Sequence, residues 1–332
     1  MEKYSDLKLQ TAEMGSLSLK WTQLANLPIP MYAGYVTVQD KKVYVAGGSS
    51  PVDDAKHQVY VYDINTDHWD QLPPSGHYFG IPQIIGGKLV IIGGMLSATR
   101  KMTNKVSTFD EASQTWTSYY PDLLSVRNRP GVVTHLELVI AAGGYKQAYD
   151  TVVVQDDIEV LNWNENHCWQ KVSINLPVPM ATFTLIVTDN HLAIVCYVDD
   201  NYELSKCAYK IPVDDITRLD DQQQTSDTPT KWIAMTDSTH RSTTPVHSSS
   251  PLIVIGGENE RGASISDVKM YNDSSKSWKK IASLSSPRSS VTAGLVNNNA
   301  IIVIGGITKG GDAEDALTSC LTTVELGQAQ LV

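Results

Sequence analysis

The chain has 332 residues, a formal net charge of -10 and a hydrophobic content of 42%, which is enough for a sizeable core. Its acidic balance argues against nucleic acid as the main partner, because a phosphate backbone is itself negative. No apolar run approaches the roughly 20 residues needed to cross a bilayer, so no membrane-spanning segment is expected. Residues 1–6 are neither basic nor apolar, which argues against a signal peptide and favours a cytoplasmic protein.

The first 16 residues have no periodicity and are interpreted as a tail or linker. Residues 17–26 follow, with the alternating polarity of a strand that ends before Pro28. Trp21 in this strand begins a series of tryptophans that recur at similar intervals, and only Trp163 stands outside the series. Its members are Trp21, Trp69, Trp116, Trp169, Trp232 and Trp278.

A second series consists of apolar runs that end in a pair of glycines. It recurs about every 50 residues, an interval typical of one supersecondary unit used repeatedly. The copies end at Gly47–Gly48, Gly93–Gly94, Gly143–Gly144, Gly256–Gly257 and Gly305–Gly306, and a degenerate copy without glycines ends at Cys196–Tyr197. Because stacked units share one continuous core, a single repeat domain is expected.

Further β-rich runs complete each unit. One run precedes the glycine pair, and another follows it and places an aromatic residue seven positions before a tryptophan, as Tyr62 does for Trp69. Turn-forming residues between that run and the tryptophan indicate a hairpin. Each unit therefore has four short strands, a to d, and no stretch has a convincing helical period. The chain is predicted to be all-β.

The combination of apolar run, glycine pair, aromatic-Asp or aromatic-Asn and tryptophan resembles the kelch repeat. The resemblance covers residues 17–326 and implies a six-bladed β-propeller with four-stranded antiparallel blades. The blades are expected at 31–72, 78–119, 130–173, 180–235, 241–283 and 289–326. The last blade lacks a tryptophan, so we expect residues 17–26 to be its strand d and to close the ring. The propeller would then span 17–327, followed by a tail at 328–332.

Blade 4 departs from this pattern. Residues 214–230 are polar and are expected to form a long c–d loop. Cys196 and Cys207 lie on neighbouring predicted strands, which leaves a disulfide open, although buried free thiols are the expected state of these and of the other cysteines in a reducing compartment. The four cysteines show neither Cys-x-x-Cys spacing nor histidines at zinc-site distances.

In an antiparallel meander, the b–c loops and the d–a crossings between blades emerge at the same end. In kelch propellers, which this chain resembles, that face often binds peptides of partner proteins. Arg and Tyr are the residue types that carry most interface energy. The candidate contact residues on this face are Tyr32, His77, Tyr78, Arg100, Arg127, Arg129, Tyr145, Tyr197, Asp199, Asp200, Arg261 and Arg288.

Some kelch proteins bind acidic peptides through an arginine at the start of strand a. Arg288 matches that place best, and Arg127 or Arg129 comes next, but blades 1 and 4 have Met31 and Met180 there. A full ring of arginines is therefore absent. Since acidic and basic residues are both present in the loops, a partner segment of mixed charge is expected.

The expected function is non-enzymatic protein–protein interaction, as an adaptor, scaffold or substrate receptor, without cofactor or metal. We expect a monomeric propeller, either alone or within a larger multidomain protein. The alternative is a small-sugar enzyme of the kelch-like mutarotase type, because a site at the channel mouth needs only a few polar groups. The eight histidines are scattered singly, which argues against a copper site. Residues 85–88 superficially suggest a phosphate loop, but they lie between two β runs and are predicted to form a two-residue hairpin turn.

Overall fold

The computed structural model describes residues 17–52, 57–165, 168–195, 201, 207–217, 231–235, 240–246, 251–297, 299–310 and 320–331. The strands of the first half are β1 (Leu17–Gln23), β2 (Tyr35–Gln39), β3 (Lys42–Ala46), β4 (Val59–Asp63), β5 (His68–Leu72), β6 (His77–Tyr78), β7 (Ile81–Ile85), β8 (Lys88–Ile92), β9 (Met95–Leu96), β10 (Val106–Asp110), β11 (Thr115–Thr117), β12 (Gly131–His135), β13 (Leu138–Ala142), β14 (Tyr145–Ala148), β15 (Thr151–Val154), β16 (Ile158–Asn162) and β17 (Gln170–Lys171). The elements of the second half are β18 (Thr184–Thr188), β19 (His191–Val195), β20 (Ala208–Pro212), α1 (Val213–Thr217), β21 (Ile233–Met235), β22 (Thr244–Pro245), β23 (Ile253–Ile255), β24 (Asp267–Asn272), β25 (Ser277–Ser283), β26 (Thr292–Val296), β27 (Ala300–Ile304) and β28 (Val324–Leu331).

Six four-stranded antiparallel sheets form the blades. Their strand orders are β2-β3-β4-β5, β7-β8-β10-β11, β12-β13-β16-β17, β18-β19-β20-β21, β22-β23-β24-β25 and β26-β27-β28-β1. Each sheet is a meander of strands a to d, as the repeating pattern predicts. The predicted fold class, an all-β six-bladed propeller with four-stranded blades, is confirmed. In the described part of the chain, α1 is the single α-helix, and it lies where the long c–d loop of blade 4 was expected to begin.

The N-terminal strand supplies strand d of the sixth blade, as predicted. β1 pairs antiparallel with β28 from Leu17↔Leu331 to Gln23↔Glu325. The expected C-terminal tail at 328–332 is wrong for residues 328–331, because these residues belong to β28. The reason is that β28 lies between β27 and β1, so its continuation has a partner strand on which to form ladder hydrogen bonds.

The chain divides into two compact units. The first unit comprises residues 1–72 and 238–332 and contains blades 1, 5 and 6, whereas the second comprises residues 73–237 and contains blades 2, 3 and 4. Apolar side chains of facing strands form the cores within each unit. In the second unit, Ile140 and Ile194 belong to one such core, and in the first unit Val45 and Ile302 share another.

In blades 1 to 4, the tryptophan of the series holds its blade to the chain segment that precedes the blade. Indole Nε1 donates to a backbone carbonyl in four repeats, with pairs Trp69–Ala25, Trp116–Pro73, Trp169–Pro121 and Trp232–Asn175 at 2.8 to 3.0 Å. The seven-residue step brings the preceding aromatic ring against the indole. The ring centroids of Tyr62 and Trp69 are 5.0 Å apart, so the step reflects packing across the c–d hairpin.

Two local predictions have clear outcomes. Gly86 and Gly87 form a two-residue turn with positive φ at both positions, between paired Ile85 and Lys88, so the hairpin prediction is confirmed. The expectation of buried thiols is wrong for Cys168, which is exposed, whereas Cys207 and Cys320 are half-buried free thiols. Cys196 lies outside the described residues. No helix in the described ranges has the length and apolar character that crossing a membrane requires.

Candidate functional site

In blades 1, 2, 3, 5 and 6, short backbone bridges join the d–a crossing to the b–c loop of the same blade. They link the residue three positions before strand a to the residue after the glycine pair, and in blade 2 they extend into the small sheet β6–β9. The bridged pairs are Tyr32↔Ser49, Tyr78↔Met95, Asn128↔Tyr145, Arg241↔Glu258 and Ser289↔Ile307. The crossings and the b–c loops of these blades therefore lie together at one end of each blade. We call this end of a blade the loop end.

Three of the predicted contact residues occupy these bridged positions. Tyr32 and Tyr145 are half-buried, and Tyr78 is buried. Arg100 and Arg261 are exposed and Arg129 is half-buried. Tyr197, Asp199 and Asp200 were also predicted to lie in the loops, and they fall outside the described residues.

Two arginines of the second unit stack on adjacent aromatic rings. The guanidinium carbon of Arg100, from the b–c loop of blade 2, lies 4.3 Å from the centroid of the Tyr78 ring. That of Arg129, from the next d–a crossing, lies 3.9 Å from the Phe79 ring. Both distances are within the range of a cation–π interaction. Phe79 was missed by sequence reasoning, although it directly follows Tyr78 in the crossing.

Arg127 was predicted to lie on the contact face, but its side chain is fully buried. Its Nη2 pairs with Glu159 Oε1 at 2.8 Å and with Asp157 Oδ2 at 3.0 Å. Its Nη1 donates to the carbonyl of Gly143 at 2.7 Å. Glu159 also accepts from the backbone N–H groups of Leu124 and Ser125. A buried charge requires such partners, and these partners hold the guanidinium inside the blade.

Arg288 is buried in the same way in blade 6, so it too lies away from the contact face. Its Nη2 pairs with Glu325 on strand c, and its Nη1 lies 3.4 Å from the carbonyl oxygen of Thr323. Burial lowers the pKa of Arg288 to about 10. The sequence predicted that both arginines lie shortly before strand a. It did not show that each would form a buried ion pair with a glutamate on strand c.

His77 occupies the corresponding place in blade 2. Its Nδ1–H donates to the carbonyl of Gly93 at 2.7 Å, which leaves Nε2 to accept from the hydroxyl of Ser107 at 2.8 Å. Burial lowers the pKa of His77, because the charged imidazolium would lose its hydration. His77 therefore acts as a neutral structural side chain and is also absent from the exposed contact surface.

The residue type at the position of His77, Arg127 and Arg288 follows a pattern that repeats after three blades. The residue four positions before strand a, which we call the entry residue, contacts a residue of strand c in blades 2, 3, 5 and 6. The pairs are His77 with Ser107, Arg127 with Glu159, His240 with Lys269, and Arg288 with Glu325. In blades 1 and 4 the entry residues Met31 and Met180 are buried in apolar cores. The order Met, His, Arg occurs twice. Arginine therefore occupies this position in only two of the six blades, and both arginines are paired inside a blade.

Blade 3 carries a hairpin in its b–c loop. Strands β14 and β15 pair from Tyr145↔Val154 to Ala148↔Thr151. Tyr149 at the tip has a positive φ and is fully exposed, and Val152 is also exposed. The β-branched run at 151–154 was the available signal for this hairpin. An exposed aromatic ring on a paired hairpin is a rigid contact element.

In the first unit, the loop end is mixed in charge. Glu258 accepts from Lys309 at 2.8 Å and from Ser289 at 3.1 Å, and these contacts tie the b–c loops of blades 5 and 6 together. Arg261 and Glu260 are exposed on the adjacent turn. Within the described ranges, no group of three or more His, Cys, Asp or Glu side chains is placed to hold a metal ion.

Comparisons with known proteins agree with this architecture. The family described as the KLHDC2/KLHL20/DRC7 Kelch-repeats domain matches residues 7–196, more than half of the chain. A putative F-box/kelch-repeat protein of Arabidopsis thaliana is 33% identical over 79 residues, which span 24% of this chain and 21% of that protein. The solved structure of YjhT superposes with a TM-score of 0.70 and 14% identity, covering 92% of this chain and 99% of that one. The chain therefore belongs to the KLHDC2/KLHL20/DRC7 family of kelch-repeat domains.

Proposed function

We propose that the chain is a non-enzymatic interaction module that binds a segment of a partner protein at the loop ends of its blades. The observation that carries this proposal is the pair of stacked arginines, Arg100 over Tyr78 and Arg129 over Phe79. Kelch-repeat proteins generally bind protein partners, and the name of the Arabidopsis relative joins the repeat to an F-box. An adaptor or substrate-receptor role is therefore the form of the function that we favour.

The stacked arginines are suited to hold carboxylates. A ring under the guanidinium plane restrains the side chain, so less rotamer entropy is lost when its N–H groups bind a ligand. Among the residues that the structure describes, no carboxylate forms an ion pair with Arg100 or Arg129. A guanidinium can donate two parallel hydrogen bonds to one carboxylate. We therefore assign Arg100 and Arg129 as anchors for acidic side chains of the partner.

Other loop residues favour a partner that is not uniformly acidic. In the second unit, Asp150 and Tyr149 are exposed at the tip of the β14–β15 hairpin, and Lys146 is exposed at its base. A segment of mixed charge complements these groups better than a purely acidic one.

Peptide display on the purified chain tests this proposal. We expect the unchanged chain to enrich peptides that contain Asp or Glu, and Arg100→Gln/Arg129→Gln to weaken the selected peptides at least about tenfold. The matched control is Lys41→Gln/Lys42→Gln, which removes the same charge from the exposed a–b turn of blade 1. Equal binding by both double variants would overturn the arginine assignment.

The same experiment distinguishes the interaction module from the alternative function, a small-sugar enzyme. If no peptide is enriched but an acidic sugar raises the melting temperature of the chain, the interaction proposal fails and a small-molecule site is favoured. The likeness to YjhT, at 14% identity, concerns the fold alone and does not decide between these outcomes.

A further inference from the structure

The second unit has an exposed aromatic patch at the end of its blades opposite the loop end. It is built from the a–b turns of blades 2 and 3, the c–d turn of blade 3 and the segment after β11. We call it the turn patch and define it by Gly86, Tyr119, Tyr120, Leu136 and Trp163. Trp163 is the tryptophan that stands outside the repeat series, so the blade architecture does not account for it.

The rings of the turn patch form a contiguous surface. Tyr119 and Tyr120 meet edge to face, with centroids 4.9 Å apart. A Cβ at Gly86 would lie 2.9 Å from the Tyr120 hydroxyl and 3.1 Å from the Trp163 ring. Because glycine has no Cβ, both groups can pack directly on the a–b turn of blade 2. The Trp163 indole then reaches the Leu136 carbonyl, to which its N–H donates at 3.3 Å.

Large apolar surface remains uncovered here. Leu136 is 74% exposed and Tyr119 is 65% exposed, and Leu136 has a positive φ, which is unfavourable for a residue with a Cβ. Asn or Gly would suit such a turn better. Trp163 is half-buried and Tyr120 is buried. An exposed leucine held at this position beside an exposed tyrosine and a half-buried tryptophan indicates a contact surface.

The backbone carbonyls of Ile85, Leu136 and Glu137 at this patch already accept hydrogen bonds. The carbonyl of Ile85 accepts from the Tyr120 hydroxyl at 3.0 Å, and that of Glu137 accepts from the backbone N–H of Trp163 at 3.0 Å. The patch therefore offers ring faces rather than backbone groups. A partner that pairs as a β-strand would find few hydrogen bonds, whereas a polyproline II segment makes contact mainly through its side chains.

The charges around the patch define the partner further. Exposed carboxylates lie on the same turns, at Glu137 beside Leu136, at Glu165 near Trp163, and at Asp110 and Glu111 on the c–d turn of blade 2. Lys88 is an exposed cation on the a–b turn of blade 2, and its ammonium lies 5.2 Å from the centroid of the Tyr119 ring. A basic segment complements this excess of negative charge.

We propose that the turn patch is a second docking surface, and that it binds a basic, proline-containing segment of another protein in an extended polyproline II conformation. The prolines and aliphatic side chains pack on Tyr119, Trp163 and Leu136, and the arginines or lysines of the segment meet Glu137 and Glu165. This surface is independent of the arginine anchors at the loop end.

The probe for this proposal is a fluorescein-labelled decapeptide with a Pro-x-x-Pro core flanked by arginines. We expect saturable binding to the unchanged chain and quenching of Trp163 fluorescence. Tyr119→Ser/Leu136→Asn should weaken binding at least about tenfold. Asn tolerates the positive φ of position 136, so the melting temperature of this variant should be maintained.

Charge is tested separately. Glu137→Lys/Glu165→Lys should reduce binding of the arginine probe and allow binding of the same peptide with glutamates in place of the arginines. Arg100→Gln/Arg129→Gln should bind the arginine probe like the unchanged chain, so failure of one surface is distinguishable from failure of the other.

Three results would overturn the proposal. The first is an absence of saturable binding by the unchanged chain up to about 1 mM probe. The second is equal affinity of the Tyr119→Ser/Leu136→Asn variant. The third is self-association of the chain that the same variant abolishes, because the patch would then bind a second copy instead of a basic segment.

Discussion

The buried pair of Arg127 and Glu159 permits a quantitative test of the entry-residue pattern. The two side chains are 0% and 1% exposed, so Arg127→Met would leave a buried carboxylate without its main cation. Breaking such a pair typically costs about 3 to 5 kcal/mol. We expect the lower part of this range, about 3 kcal/mol, because Glu159 keeps hydrogen bonds from the N–H groups of Leu124 and Ser125 at 2.8 and 2.9 Å.

The partner variant should cost less. In Glu159→Gln, the amide oxygen still accepts from the backbone, and Arg127 keeps the Asp157 carboxylate at 3.0 Å. We expect a loss of about 1 to 2 kcal/mol. The double variant has no unpaired buried charge at this place, so its loss should be smaller than the sum of the single losses by at least about 1 kcal/mol.

Thermal and urea unfolding followed by circular dichroism would measure these changes. At about 2 °C per kcal/mol, Arg127→Met should lower the melting temperature by roughly 6 °C. The control is Lys105→Met, which breaks an exposed ion pair with Asp122 at 2.6 Å and should cost less than about 1 kcal/mol. A loss below about 1 kcal/mol for Arg127→Met, or strict additivity in the double variant, would refute the reasoning.

Two further predictions concern His77 and Gly256. The pKa of His77 in the folded chain lies below its ordinary value of 6.5, so near that pH the unfolded chain binds a proton that the folded chain does not. The free energy of unfolding should therefore fall as the pH drops below about 6.5. In His77→Gln, the decrease of the melting temperature between about pH 7 and pH 5 should be smaller than in the unchanged chain. Identical slopes for the two proteins would contradict this. Gly256 has φ +60 and a Cβ there would lie 2.2 Å from the carbonyl oxygen of Arg288, so Gly256→Ala should cost at least about 2 kcal/mol in unfolding experiments. Gly310→Ala is the control, because its Cβ would meet nothing within 4 Å, and equal melting temperatures would show the reasoning to be wrong.

Most of the blade architecture could be predicted because each blade is a local meander. The strands, the turns and the step from Tyr62 to Trp69 lie within a short stretch of chain, so their periodicity is visible in the residues themselves. The completion of blade 6 by β1 was also predictable, since the count of strands left one unpaired at each end of the repeat. The extension of β28 to Leu331 was missed, because the run Gly-Gln-Ala-Gln at 327–330 does not resemble a strand unless a partner is present on each side.

The candidate site was predictable only in part. Placement of the contact residues near strand a followed from the repeat, and Arg100 is exposed as expected. The side-chain direction of Arg127 and Arg288 did not follow. Each depends on a glutamate that is 32 or 37 residues away in the chain and that becomes a neighbour only when strand c packs in the blade.

The sequence by itself determined the number of blades, their four strands and the way the last blade is completed. These follow from residue types that favour strands and turns at short range. The tertiary structure decided which charged groups face solvent and which are neutralised inside a blade. It also brought Arg100 over Tyr78 and closed Trp163 against Gly86. The physical reason is that a charge or a ring is buried or exposed according to the partners that distant strands supply, and local sequence does not specify those partners.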